Sequence, residues 1–263
     1  QAPVVDGFRF DRQSLLGCAL GRPPEAFGPM YRRFDGPTRV ARLPSPPYHF
    51  ISRIAEIHGP IGVMQPGARV VAEYDVPDEV WYLDQNGGRR MPFAVLLEAV
   101  LQPCGWLSSY VGSALTVDSE LGFRNLDGEG RVLAELVGGA GTLRTEVELT
   151  AVSATAGMII ETFVVNCTLD GRAVYELRTV FGFFPPAALA AQAGLPITPP
   201  HRELLERAGN GTIDLDAEPA PFFAHPTLRL AGPMLRMIDR LEGVRPEGGS
   251  AGLGQLRAVT ALD

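Results

Sequence analysis

From Met91 to Leu107 the chain is almost continuously apolar, and one acid, Glu98, and one amide, Gln102, stand alone in that run. The run is too long for a strand and opens on Met91-Pro92, so it predicts a buried helix with Pro92 in its first turn, where proline is tolerated. Glu98 and Gln102 are i and i+4 and project from the same face. Before the helix, "ARVVAEYDV" (68–76) has the β-branched content of a strand closed by Pro77-Asp78, and "DQNGG" reads as a turn into the helix. After it, the alternation in "TLRTEVELTAVSAT" and the Asp170-Gly171 turn within "GMIIETFVVNCTLDGRAVYELRTVFGFFPP" predict consecutive antiparallel strands. A helix followed by a meander is an α+β pattern.

Four segments follow from this pass. Residues 1–46 are a lead-in, with Asp11 capping a short amphipathic stretch, "DRQSLLGCALG". Residues 47–186 hold the strand, helix and meander. Residues 187–226 are proline-rich and read as a linker with one short helix near "HRELLERA". Residues 227–263 echo the start of the first core: Ile238 and Arg240 match Ile51 and Arg53, and Arg257, Val259 and Asp263 match Arg69, Val71 and Asp75 with one inserted residue. An internal repeat of about 187 residues is expected from this, the length of a duplicated domain rather than a solenoid. The second copy would open with a strand at about 255–263, and its own central helix would lie beyond Asp263.

Composition narrows the function. With 46% hydrophobic residues over 263 positions, the chain can bury a sizeable core. Net charge is −7 and the basic residues are scattered, which argues against a nucleic-acid face. Neither a membrane span nor a signal-peptide pattern is read. Cys18, Cys104 and Cys167 are expected as reduced thiols in a cytoplasmic protein. The chain opens on Gln1, so a piece of a longer polypeptide is expected. "GEGRVLAELVGGAG" is glycine-rich but lacks the lysine order of a phosphate loop and reads as loops between strands. No metal or cofactor is called for.

A buried carboxyl either finds partners or holds its proton to higher pH. Glu98 is thus a candidate acid, with pairing to Arg89 or Arg90 as the structural alternative. At these residues the sequence resembles a family. "DEVWYLDQNGGRRMPFAVLLEAVLQPCGWL" is similar to the turn and central helix of hotdog-fold β-hydroxyacyl carrier-protein dehydratases, above all the tandem domains of polyunsaturated fatty acid synthases and related polyketide synthases. The resemblance starts at "PPYHFISRI" and covers most of the chain, with Met-Pro and Glu-Ala-x-x-x-Gln as its most specific part.

The resemblance implies a sheet wrapped round the helix, forming the first half of a double hotdog together with the beginning of the second. It implies dehydration of carrier-protein-bound 3-hydroxyacyl thioesters, with Glu98 as catalytic carboxyl, Gln102 beside it, and an apolar tunnel for the acyl chain. The start of the helix, at Phe93 and Ala94, would bind the thioester oxygen. Expected partners are an acyl carrier protein with its phosphopantetheine-linked chain and a second hotdog, or a second copy of the chain. The family's histidine, seven residues before the Met of Met-Pro, is here Asp84. None of His49, His58, His201 and His225 replaces it convincingly, so the base is expected from the partner and the chain alone should be inactive. The alternatives are a pseudo-dehydratase that binds acyl chains or braces its partner, and a hotdog thioesterase.

Overall fold

A computed structural model describes residues 1–155, 157–207, 210–217 and 230–261. His225, Asp263 and several linker prolines lie outside the described residues. In chain order the elements are β1 (Val4–Val5), β2 (Phe8–Arg9), α1 (Arg12–Gly17), α2 (Pro23–Phe27), a 3-10 turn (Pro29–Phe34), β3 (Arg53–His58), β4 (Arg69–Val76), α3 (Trp81–Asn86), α4 (Phe93–Tyr110), β5 (Gly122–Val132), β6 (Gly141–Thr155), β7 (Met158–Leu169), β8 (Arg172–Phe184), α5 (Pro186–Ala190), α6 (Pro199–Glu206), β9 (Asn210–Asp214), β10 (Arg240–Arg245) and β11 (Gln255–Val259). They form two compact units, residues 1–78 with 90–192, and 79–89 with 193–263.

The first unit is a hotdog. Its sheet runs β3-β4-β6-β7-β8-β5, every pair antiparallel, and α4 lies against β4, β6 and β7. The alternation read in "LRTEVEL" is the cause: Leu143, Thr145, Val147 and Leu149 are buried under the helix while Arg144, Glu146 and Glu148 face outward. The turn from β7 to β8 places Asp170 and Gly171 at φ 50° and 78°, the left-handed conformation that a two-residue hairpin needs. On the outer face Arg53 bonds Glu73 and Asp75, and Arg144 bonds Glu73 and Glu56, so three strands share one lattice of charge.

Several expectations change. Pro92 is the N-cap of α4 rather than a first-turn residue: its ψ of 143° is extended, and its carbonyl accepts the first helical bonds, from Val95 and Leu96. The helix is not buried all round at its start, where Phe93 and Ala94 are exposed. It runs unbroken through Pro103. Gly128 and Gly130 lie in edge strand β5, not in a loop; a side chain at Gly130 would collide with Tyr175 on β8, so glycine there makes the close pairing possible. The lead-in is as expected: Asp11 caps α1, accepting from the N–H groups of Gln13 and Ser14. All three cysteines are free and buried.

In the second unit helix α3 takes in residues 84–86 of the expected 84–88 turn, and the turn itself falls on Gly87-Gly88, with Gly87 left-handed at φ 66°. Within the proline-rich 187–226, α6 forms where the short helix was expected, but β9 is a strand paired with β10. β9, β10 and β11 form their own antiparallel sheet in the order β11-β10-β9.

The two sequence repeats are both hairpins with the same bonding at their mouths. Ser52 N–H donates to Glu73 O (2.8 Å) and Asp75 N–H to Ser52 Oγ (3.0 Å). Likewise Asp239 N–H donates to Val259 O (2.9 Å) and Ala261 N–H to Asp239 Oδ2 (2.6 Å). By bonding, Val259 is equivalent to Glu73, not to Val71 as the sequence match pairs them; the two-residue offset keeps the same face of the strand.

Candidate active site: a cavity along one face of the central helix

Along α4, the residues Glu98, Leu101, Gln102, Gly105, Trp106 and Ser109 recur at helical spacing and form one stripe. That stripe lines a cavity of about 240 Å³. The lead-in builds the opposite wall, from Cys18 and Phe27 through Tyr31 to Val40–Pro44, and Phe123, Asn125, Phe181 and Phe183 of β5 and β8 close a side. The lining is mainly apolar.

The lead-in is fastened there by main-chain acceptors. Tyr31 donates its hydroxyl to Ser109 O (2.7 Å), Leu43 N–H donates to Cys18 O (3.2 Å), and Arg42 donates to the carbonyls of Gly17 (3.0 Å) and Gly21. In the cavity wall Trp106 packs against Phe27 (5.5 Å), and behind it stacks on Tyr110 (5.4 Å) with the ring of Phe10 (5.4 Å) edge-on. The Trp106 indole N–H has no acceptor among the described residues.

Glu98 and Gln102 are brought together as their spacing requires, but in unequal settings. Glu98 is half-buried and its Oε1 accepts from Gln102 Nε2 (3.1 Å). Gln102 is buried and fully engaged: its Oε1 accepts Phe50 N–H (2.8 Å), and its Nε2 also donates to Tyr48 O (2.7 Å). The amide therefore ties the segment before β3 to the helix and steadies the carboxylate. Arg90 pairs with Glu135 (2.9 Å). Phe93 and Ala94 supply the first two N–H groups of α4, which a helix leaves without internal partners.

His49 sits between the two residues that Gln102 holds. Its Nδ1 is 3.0 Å from Pro44 O, which makes Nδ1–H the donor, and its Nε2 has no partner among the described residues. Burial lowers its pKa below the usual histidine value, with the Pro44 bond opposing and Arg12 adding to the effect. Asp84 is exposed on α3, in the second unit.

The sequence reading missed a second carboxyl. Glu161 on β7 is fully buried and receives the hydroxyls of Ser108 (2.5 Å) and Ser113. Gly112, at φ 84°, turns the chain so that Ser113 follows the helix end. Burial pushes the Glu161 carboxyl above its ordinary range, and the two serine bonds pull it partly back. The signal was there: Glu161 is in phase with the inward set Ile159, Phe163, Val165 and Cys167. It does not line the cavity. Burial likewise pushes the Cys104 thiol well up, which fits packing rather than nucleophilic use. Among the described residues no cluster of ligands suits a metal ion, and no helix is long and apolar enough to cross a membrane.

Comparisons with known proteins agree with the resemblance. No family model matches the chain. A polyunsaturated fatty acid synthase polypeptide of Thraustochytrium sp. is 28% identical over 186 residues, covering 66% of this chain, which spans only 12% of that much longer protein. Among solved structures, the dehydratase heterocomplex ApeI:P of Xenorhabdus doucetiae matches with a TM-score of 0.42 at 14% identity, covering 56% of this chain and 93% of that one. A variant thioesterase of Pseudomonas aeruginosa matches at 0.36 and 10% identity, covering 51% and 81%. The chain is a hotdog-fold relative of a polyunsaturated fatty acid synthase polypeptide, as the resemblance of residues 78–107 to the dehydratase domains of such synthases implied.

Proposed function

We propose that the chain supplies the acid half of a dehydratase site acting on 3-hydroxyacyl thioesters carried by an acyl carrier protein. The observation that carries this reading is Glu98, half-buried in the wall of an apolar cavity, one turn from an amide that orients it and near an exposed helix start. Elimination of water needs a base to take the α-proton; its electrons form the new double bond as the C3–O bond breaks. An acid then delivers a proton to the departing hydroxyl. Glu98 is the acid. The N–H groups of Phe93 and Ala94 are placed to steady the thioester oxygen as it gains negative charge. Gln102, with its hydrogen-bonding groups engaged, is a positioning residue rather than a proton carrier.

The base is assigned to a histidine on a second hotdog, part of the same synthase or a second copy, working in the cytoplasm. Residues 227–263 are read as the opening of that second hotdog. The test is conversion of a 3-hydroxyacyl thioester to its enoyl product by the chain joined to its partner hotdog. Glu98→Gln should reduce turnover by about 100-fold or more, the scale of a lost general acid. Unchanged turnover would favour the pseudo-dehydratase reading. Robust turnover by the chain alone would mean the base lies within it, with His49 the first residue to replace.

A further inference from the structure

We propose that the end of the cavity remote from Glu98 is a second, polar subsite, where the Trp106 indole N–H, the Ser109 hydroxyl and the Asn125 amide receive an oxygen-bearing group of the ligand. The inference rests on the acyl-thioester reading above and deepens it, naming a chemical group that the substrate carries away from its reacting carbons.

Most polar side chains in the cavity lining are already engaged. Tyr31 and Arg42 donate to main-chain carbonyls, and Glu98 and Gln102 are bonded to each other. Three are not. Trp106 is 1% exposed, yet its N–H has no acceptor among the described residues. It is turned toward the sulfur of Cys18, which also lines the cavity, but sulfur is a weak acceptor and no hydrogen bond forms between them. The Cys18 thiol itself donates to Ser14 O (3.6 Å). No hydrogen bond ties the Ser109 hydroxyl or the Asn125 amide to another described residue either. A buried donor left unpaired costs its full desolvation, and native interiors avoid it. In a cavity wall, a ligand oxygen can remove that cost.

Sheet register brings the three groups to one level. Ser108 bonds Glu161 on β7, Glu161 pairs with Phe181 on β8, and Phe181 pairs with Asn125 on β5. Asn125 is therefore level with the Trp106–Ser109 turn of α4, which lies about 12 to 16 Å beyond Glu98 at the α-helical rise. Cross-strand neighbours share a face, so Asn125 projects to the cavity side with Phe181. It is the one polar side chain on a wall otherwise made of Phe123, Phe181 and Phe183. The pairing shifts just after it, between Asn125 and Asp127, an irregularity of the kind that re-aims side chains beside sites. The indole can only donate, while the hydroxyl and the amide donate or accept. A carbonyl, ether or hydroxyl oxygen suits this set. Two parts of a carrier-bound substrate can supply one: an oxygenated acyl tail, or an amide of the pantetheine arm.

The test uses the full chain with ¹⁵N in its two tryptophans, so that Trp81 is an internal control for the Trp106 indole resonance. The probes are S-alkyl pantetheine thioethers whose tails are all carbon or carry one ether oxygen, moved stepwise along the tail. Each is also made with the amides of the arm replaced by methylenes. A probe that places an oxygen correctly should move the Trp106 resonance downfield and bind about tenfold tighter than its methylene counterpart, the scale of one hydrogen bond to a stranded donor. A shift that follows the tail oxygen assigns the subsite to the tail; one that follows the amides assigns it to the arm. Trp106→Phe should erase the preference and Asn125→Leu should weaken it; if the first variant does not fold, the second and the resonance carry the test. A Trp106 resonance that no probe moves, or that moves alike with and without oxygen, would overturn the subsite, as would a preference that survives in folded Trp106→Phe. If turnover with the partner hotdog needs Glu98 but no oxygen preference appears, the subsite alone fails. If the preference is present and turnover ignores Glu98, the dehydratase reading fails and the subsite stands.

Discussion

Two carboxyl groups attend the same helix and live under opposite rules. Glu98 points from α4 into the cavity wall, keeps part of its surface in water, and has the Gln102 amide as partner. Glu161 reaches α4 from the sheet side, is closed to water, and is held by two hydroxyls. The residue type is the same, so the difference lies in surroundings. One group is available to a substrate; the other is built into the core as a polar pin between β7, the end of α4 and the turn after it. A carboxyl in a hydrophobic segment is therefore not by itself a sign of chemistry. Access to a cavity is what separates the two.

Glu161→Ala should sharpen this contrast most. It strands the Ser108 and Ser113 hydroxyls and leaves a hole in the core, so chemical denaturation should show a loss of about 2–4 kcal/mol, against within about 0.5 kcal/mol for Glu98→Gln. Comparable losses at both sites would break the comparison. Gln102→Ala comes next, at about 1–3 kcal/mol, because it leaves the buried Phe50 N–H without its acceptor and frees Glu98 from its tether.

The smallest effect concerns pH. Glu161 keeps its proton to higher pH in the folded chain than in the unfolded one, so the folded state binds more protons between the two values. Its contribution is fully present below the ordinary carboxyl range and is lost as pH rises through the raised folded value. Thermal melts should accordingly show stability declining over that window, and Glu161→Gln should flatten the decline. An unchanged slope in the variant would assign the pH dependence to other groups.

Much of this was legible in the chain itself, for identifiable reasons. Period-two alternation in "LRTEVEL" fixed which side of β6 meets the helix, and Asp170-Gly171 marked the hairpin from β7 to β8. The i, i+4 spacing put Glu98 and Gln102 on one face. What escaped depends on tertiary partners. Nothing local to Gln102 says that its amide is used up by Tyr48 and Phe50, more than 50 residues earlier. The strand at Gly128–Gly130 exists because β8 pairs with it, with Tyr175 leaving room only for glycine at 130, and glycines read alone suggest a loop. Nor does the lead-in announce that it walls a cavity. Glu161 is a different case: its phase along β7 was visible, but its two serine partners come from the helix end and the turn beyond it, about 50 residues away.

The lattice of Arg53, Glu73, Asp75, Arg144 and Glu56 has a consequence for how the sheet assembles. Exposed ion pairs of this kind add little to stability. Their value is in proofreading. Sliding β4 by one residue against β6 would turn Arg69, Glu73 and Asp75 toward the helix and send Val70 and Ala72 into water, and it would part each charge from its mate on the neighbouring strand. A wrong alignment is thus penalised on both faces at once, so misregistered intermediates should dissolve quickly and the sheet should close on one alignment.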